Sequence, residues 1–228
     1  FNPENSVFAR AGYNYSWATG YGSQGTVYLY DRSLPSNNAR LQFINRGTST
    51  AYAPYHLSGE VDIPIYFEDL RVILEEGVTL SAPLTFKETS VIVSENINLS
   101  VPITFINSEV VLKEGVHLGS TISGNGYNSV YIKAEGDFTT ADNNLVVDGY
   151  TLELPQDYSF DSITIKNSGK ITTPEASDTF TSDITLTANN FYISSNSYID
   201  VSDKGRLPEE GEHWKSGGSY GGLGGADP

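Results

Sequence analysis

The sequence predicts an all-β fold: a right-handed parallel β-helix, or β-solenoid, with three short strands in each coil of about 19–20 residues. Three observations predict it. A 19-residue repeat runs without gaps through residues 62–118. Inside each repeat the apolar residues fall into three alternating pairs, and Gly or Asn returns at one fixed corner.

The repeat is read by writing three segments in register: DIPIYFEDLRVILEEGVTL from Asp62, SAPLTFKETSVIVSENINL from Ser81 and SVPITFINSEVVLKEGVHL from Ser100. Pro64, Pro83 and Pro102 coincide, as do Phe67, Phe86 and Phe105. The first apolar pair is Ile65/Phe67, Leu84/Phe86 and Ile103/Phe105; the second is Val72/Leu74, Val91/Val93 and Val110/Leu112; the third is Val78/Leu80, Ile97/Leu99 and Val116/Leu118. Alternation of this kind marks a half-buried strand. Three strands per unit mean three faces per coil, each side chain stacking on its equivalent one rung away, roughly 4.8 Å up the axis. A single coil cannot bury its own core, so neighbours must do it. Parallel strands joined by crossovers favour a right-handed path.

The turns agree with the strands. Pro opens each unit, where its missing N–H costs least. Gly77, Asn96 and Gly115 share a corner, and tolerance of positive φ is what Gly and Asn have in common, so that corner is expected to be left-handed. No stretch keeps a 3.6-residue period, which excludes a helical reading.

Outside 62–118 the pattern loosens. Val27/Leu29 and Leu41/Phe43 lie upstream; Val130/Ile132, Leu145/Val147, Leu152/Leu154, Ile163/Ile165, Ile184/Leu186, Phe191/Ile193 and Ile199/Val201 lie downstream. Segments 46–60 and 119–129 read as loops. Residues 1–205 are expected to form one β-helix domain, with the aromatic-rich stretch 1–25 as an N-terminal cap or a contact to another module. Residues 206–228 contain SGGSYGGLGG and read as a glycine-rich loop or linker at the boundary to a next repeat. At about 20 residues per coil the whole chain has length for roughly ten coils, on the order of 50 Å.

Composition narrows the classes. A net charge of −15 argues against nucleic acid and anionic membrane as partners, both of which need clustered Lys and Arg. No apolar run reaches the length of a membrane span. The chain has no Cys and no Met, which fits an exported protein and makes Phe1 the start of a mature product or an excised piece. The expected location is extracellular or at a cell surface.

Motifs for chemistry are weak. GGSYG around Ser219 matches a nucleophile elbow, but no His follows it and no helix is in prospect. GYGSQG at Gly20 to Gly25 enters a strand rather than a helix, unlike a dinucleotide-binding turn. His56, His117 and His213 are too far apart for metal-ligand spacing. No catalytic residue is assigned and no cofactor is required. An enzyme on this scaffold would be a polysaccharide lyase or glycoside hydrolase, with carboxylates gathered in a groove.

Two columns stand out instead. Glu76, Glu95 and Glu114 should stack about 5 Å apart, where neighbouring charges repel by roughly 0.8 kcal/mol in water. Either each carboxylate turns to solvent or caps backbone N–H groups at its own corner, or a cation such as Ca2+ bridges them. Ile73, Ile92 and Val111 lie between inward residues of the second strand, so they form an outward apolar stripe. Such a stripe marks a contact, with the chain's own loops or with a partner.

One resemblance rests on residues 184–225. ITLTANNFYISSNSYIDVSDKGRL followed by SGGSYGGLGG resembles coils of very large secreted or surface β-helical repeat proteins, the filamentous-haemagglutinin-like adhesins and related giant exoproteins. Ile199-Asp200-Val201-Ser202, Lys204-Gly205 and the glycines of 217–225 match the strand end and glycine loop of their pattern, and Gly25-Thr26-Val27-Tyr28-Leu29 matches its next strand. Asp203 stands where that pattern has Gly, and Tyr220 replaces the loop His. The resemblance covers about a third of the chain and implies architecture, with no shared catalytic residues to carry over. It implies a structural or adhesive segment of a large extracellular protein, whose partners would be a cell-surface glycan, a protein receptor or neighbouring copies of the same protein. The alternatives are a glycan-binding or polysaccharide-cleaving β-helix and a subunit of an end-to-end filament.

Overall fold

The computed structural model describes residues 27–29, 40–44, 54–119, 121–177, 184–202 and 204. Short strands follow one another along the chain. β1 (Val27–Leu29), β2 (Arg40–Ile44), β3 (Tyr55–Leu57) and β4 (Glu60–Val61) precede the regular repeats. The repeats contribute β5 (Ile65–Glu68), β6 (Arg71–Leu74), β7 (Thr79–Leu80), β8 (Leu84–Lys87), β9 (Ser90–Val93), β10 (Asn98–Leu99), β11 (Ile103–Ile106), β12 (Glu109–Leu112) and β13 (Val116–Leu118). Then come β14 (Ile122–Gly124), β15 (Tyr131–Ala134), β16 (Phe138–Thr140), a single 3-10 turn at Ala141–Asn143, β17 (Asn144–Asp148), β18 (Thr151–Glu153), β19 (Tyr158–Lys166), β20 (Lys170–Thr172), β21 (Leu186–Ile193) and β22 (Tyr198–Ile199).

These strands stack as a three-faced β-solenoid. The first face runs β1-β2-β5-β8-β11-β14 and continues beside β14 with β17, the second half of β19 and the second half of β21. The second face is an eight-stranded sheet, β3-β6-β9-β12-β15-β18-β20-β22. The third face comprises β4-β7 and β10-β13-β16, followed by the first halves of β19 and β21. Every pair is parallel except β1 on β2, which runs antiparallel. Eight strands at ~4.8 Å spacing make the described stack on the order of 35 Å tall. It falls short of ten coils partly because some rungs are long: Ile163 meets Phe191 in the next rung.

The regular rungs keep the register expected of the repeat. Ile65, Leu84 and Ile103 are Cα partners in sequence, as are Val72, Val91 and Val110. All nine inward pairs of 62–118 are buried in one continuous core. The corner holds Gly77, Asn96 and Gly115 at φ of 81°, 59° and 75°. A second left-handed corner, absent from the sequence reading, holds Asp69, Glu88 and Asn107 between the first two strands of each coil. Short polar side chains at two of its three positions ease that conformation.

Along the core, Phe43, Phe67, Phe86 and Phe105 stack with ring centroids 5.1, 5.2 and 5.4 Å apart and planes within 17° of parallel. Aromatic pairs at such spacing add ~0.5–1.5 kcal/mol each beyond simple burial. The column stops at Gly124, the partner of Phe105. A Cβ there would lie 2.3 Å from the carbonyl oxygen of Gly149 and 3.1 Å from Cβ of Tyr150. Tyr150, fully enclosed, donates its hydroxyl to the Val146 carbonyl at 2.7 Å. Burial, with the Asp148 charge nearby, pushes its phenol far above the usual range.

Two expected loops contain strands. β3 lies inside 46–60, β4 begins at its last residue, and β14 lies inside 119–129. Neither shows the full pattern in the sequence: β3 is three residues long with Tyr55 and Leu57 inward, and β14 ends in Gly where a Phe would complete its pair. Backbone pairing to regular neighbours holds them in place. β19 turns a corner without leaving its strand. Asp161 and Ser162 both face away from the core between Phe160 and Ile163, which shifts the alternation by one residue. The stretch 1–25, the tail 206–228 and the glycine motifs at Gly20 and Ser219 lie outside the described residues.

Candidate functional site

With the core filled, recognition falls to the outward columns. On the second face Ile73, Ile92 and Val111 sit in direct register, each half-buried. The same column holds His56 one rung before and Lys133 one rung after. The apolar stripe is therefore three residues long and has a polar frame. His56 contacts Glu75, and Lys113 contacts Glu135, which also lies 3.6 Å from Lys133. The hydrogen bond from Lys113 holds the Glu135 carboxyl below the usual carboxylate range, against a smaller opposing effect of burial.

Glu76, Glu95 and Glu114 form the expected column, exposed at the left-handed corner. It ends at Gly136, whose Cβ position is 3.1 Å from the Glu114 Cβ. Among the described residues no three His, Cys, Asp or Glu side chains converge on a metal-binding position. His117 lies 2.9 Å from the Thr139 hydroxyl on the third face, donating or accepting according to its tautomer.

Sequence reasoning missed two features. Thr151, Glu153 and Thr172 occupy outward positions on the second face yet are buried, Glu153 to 7% exposure. Tyr131 donates its hydroxyl to Glu153, and burial, aided by that carboxylate, raises the phenol well above its ordinary value. Alternation alone would have sent Glu153 to solvent, because it reports which face a residue takes and not what covers it.

The second feature is an aromatic and charged group on the same face. Tyr131, Thr151, Lys170 and Tyr198 form one outward column. Tyr127 comes in from the segment before β15 and meets Tyr198 edge-on at 5.7 Å. The Lys170 ammonium lies 5.4 Å from the Tyr127 ring centre and 3.9 Å from Asp200. The Ser202 backbone N–H donates to Asp200 at 3.0 Å and, with lesser help from the lysines, keeps that carboxyl ionised to lower pH than usual. Tyr198 is about half exposed at 46%. An apolar ring edge beside a fixed cation and carboxylate suits a ligand with both C–H faces and hydroxyls. The spacing of Tyr127 from Tyr198 in sequence hides the pairing.

The class of protein that this fold defines is the β-solenoid, the architecture of β-helical repeat proteins. Comparison with family models, with curated proteins and with solved structures finds no match to the chain.

Proposed function

We propose that the chain is a structural and adhesive segment of a large extracellular or cell-surface protein of the β-helical adhesin kind. One observation carries the reading. The rungs of 62–118 repeat their outward side chains in strict register, so this part of the molecule presents linear columns. The Ile73, Ile92 and Val111 stripe with its charged frame is the contact surface. A partner would bury the stripe and meet the rim charges, the usual division between apolar centre and polar edge. Microspheres coated with the chain should be retained under flow on surfaces bearing extracellular proteins or glycans. Ile92→Lys should cut that retention at least about fivefold with the melting temperature unchanged, in line with loss of a central contact. Retention equal to that of an inert acidic protein of similar charge would sink the proposal.

A second reading, glycan binding, rests on Tyr127, Tyr198, Lys170 and Asp200. On a panel of neutral and acidic oligosaccharides, Tyr198→Ala should abolish any signal that this group supports. A reducing-sugar assay on the bound glycans separates binding from cleavage.

A further inference from the structure

Over the rungs of 62–118 the second face carries more than an apolar stripe. Arg71, Ser90 and Glu109 are Cα partners in sequence and form one outward column. Ile73, Ile92 and Val111 form the next. Glu75, Ser94 and Lys113 follow the strand ends in the same register, the Ser94 and Lys113 N–H groups donating to the Leu74 and Val93 carbonyls at 3.1 and 3.0 Å. The corners of this patch therefore alternate in charge. Arg71 and Glu75 flank Ile73 on one rung, Glu109 and Lys113 flank Val111 two rungs on, and the rung between carries Ser90 and Ser94. Arg71 and Glu109 are exposed and form no ion pair among the described residues.

We propose that the occupant of this surface is a second copy of the chain, packed face to face about a two-fold axis that runs along the strands at Ile92. The proposal rests on the reading of the stripe as a contact surface and names its partner. Such an axis keeps each column on itself and exchanges the first rung with the third. Arg71 of one copy then meets Glu109 of the other, and Glu75 meets Lys113. Ile73 meets Val111, and Ile92 meets its own equivalent. All four corners face opposite charges around an apolar centre, and the symmetry makes each ion pair twice. One rung further out, His56 faces Lys133. An axis along the solenoid would also match the corners, pairing Arg71 with Glu75 and Glu109 with Lys113, but it would set Lys133 against Lys133. Facing like charges disfavour that arrangement.

The size of the patch fixes the kind of dimer. Five residues across at ~3.3 Å each and five rungs at ~4.8 Å bound on the order of 300 Å² per copy. Two such faces stay below the ~1,200 Å² of a stable interface, so the pairing is weak and reversible. The net charge of −15 on each copy opposes it at long range. Salt screens that repulsion beyond ~8 Å at physiological strength, while the corner pairs act at contact.

Sedimentation equilibrium of the full chain at ~0.15 M salt, from about 10 μM to about 1 mM, tests the assignment. The average mass of the parent should rise toward twice the monomer. Arg71→Glu and Glu109→Arg should each weaken dimerisation at least ~10-fold, since each sets two pairs of like charges face to face. The double variant Arg71→Glu, Glu109→Arg should recover to within about threefold of the parent, because the pairs are restored with their signs exchanged. Melting temperatures equal to the parent's certify the fold of each variant. A parent that stays monomeric throughout overturns the proposal, as do single variants that dimerise like the parent. Failure of the double variant to recover overturns the assigned axis, and recovery by Arg71→Glu, Glu75→Arg instead does the same. An independent arm uses the absence of Cys from the chain. A short bifunctional maleimide should join copies of Ile92→Cys at least ~10-fold faster than copies of Thr104→Cys, which lies exposed on the first face away from the axis. Equal rates overturn the proposal. A monomeric parent whose retention under flow is still lost on Ile92→Lys would overturn the second copy alone and leave the adhesive surface standing.

Discussion

Ile165 and Ile193 occupy the same column, one rung apart, in strands of similar composition. The first is completely buried and the second is 45% exposed. Phe86 and Phe191 differ in the same way: one lies between two parallel rings, and the other has a packed rung on one side only among the described residues. Local sequence is alike in the two regions. In a solenoid, burial is conferred by the rung before and the rung after, so identical inward residues differ in energetic weight according to where the stack ends.

The largest effect should come from the aromatic column. Phe86→Ala is expected to cost ~3–5 kcal/mol, the usual range for a deleted core ring. Phe191→Ala should cost ~1–2 kcal/mol, since it is half exposed and has one packed rung among the described residues. Urea unfolding followed by far-ultraviolet circular dichroism compares them. Equal losses would erase the distinction between middle and end.

The corner column provides a finer comparison inside the regular region. A Cβ on Gly77 meets nothing within 4 Å, whereas one on Gly115 would fall 2.2 Å from the Asn96 Oδ1. Both substitutions to Ala incur the left-handed penalty of ~1 kcal/mol. Gly115→Ala should lose up to ~1 kcal/mol more, because the Asn96 amide must swing aside. If Gly77→Ala proves the costlier, the rung-to-rung packing of this corner is misread.

Thr140 follows Leu99 and Leu118 in their column, and its hydroxyl is buried without a hydrogen-bond partner. Thr140→Val should raise stability by ~1 kcal/mol, since it removes an unsatisfied group and keeps the shape. A fall in the urea midpoint would show that the hydroxyl is satisfied after all.

The smallest effect concerns Glu135. Lys113 lowers its pKa in the folded state, so its contribution is present above the unfolded value of ~4.3 and is lost as pH falls through the lower folded value. The pair is about a third exposed, which limits it to ~0.5 kcal/mol. Glu135→Gln should therefore melt slightly below the parent at pH 7, and the two should converge once the pH has fallen through the lowered folded-state value. A gap that widens on acidification would reverse the sign of the argument.

The fold was legible wherever residues face both sides of a rung in strict alternation. Ile65/Phe67 and Val72/Leu74 disclosed strand, face and register together, because a side chain that must stack on its equivalent leaves a 19-residue echo. β14 left no echo, since Gly124 makes room for Tyr150 from a different part of the coil. The outward sites were legible only in part. Ile73, Ile92 and Val111 are adjacent because the repeat is regular there, whereas Tyr127 and Tyr198 meet because three irregular rungs of unequal length bring them together. The cover over Glu153 is a tertiary fact with no local signature.

The register of 62–118 has a further consequence for how this molecule can change length. Excising residues 81–99 would join Leu80 to Ser100 and set Phe67 against Phe105, so every inward contact is replaced by an equivalent one, the Lys87–Glu68 ion pair outside is lost, and the rod shortens by one rung, ~4.8 Å. Removing one residue from a strand would instead turn its inner side chains outward. Growth and contraction are thus quantised: the chain is a ruler with 19-residue graduations, and insertions that respect the graduation move whatever lies beyond it without disturbing what lies within.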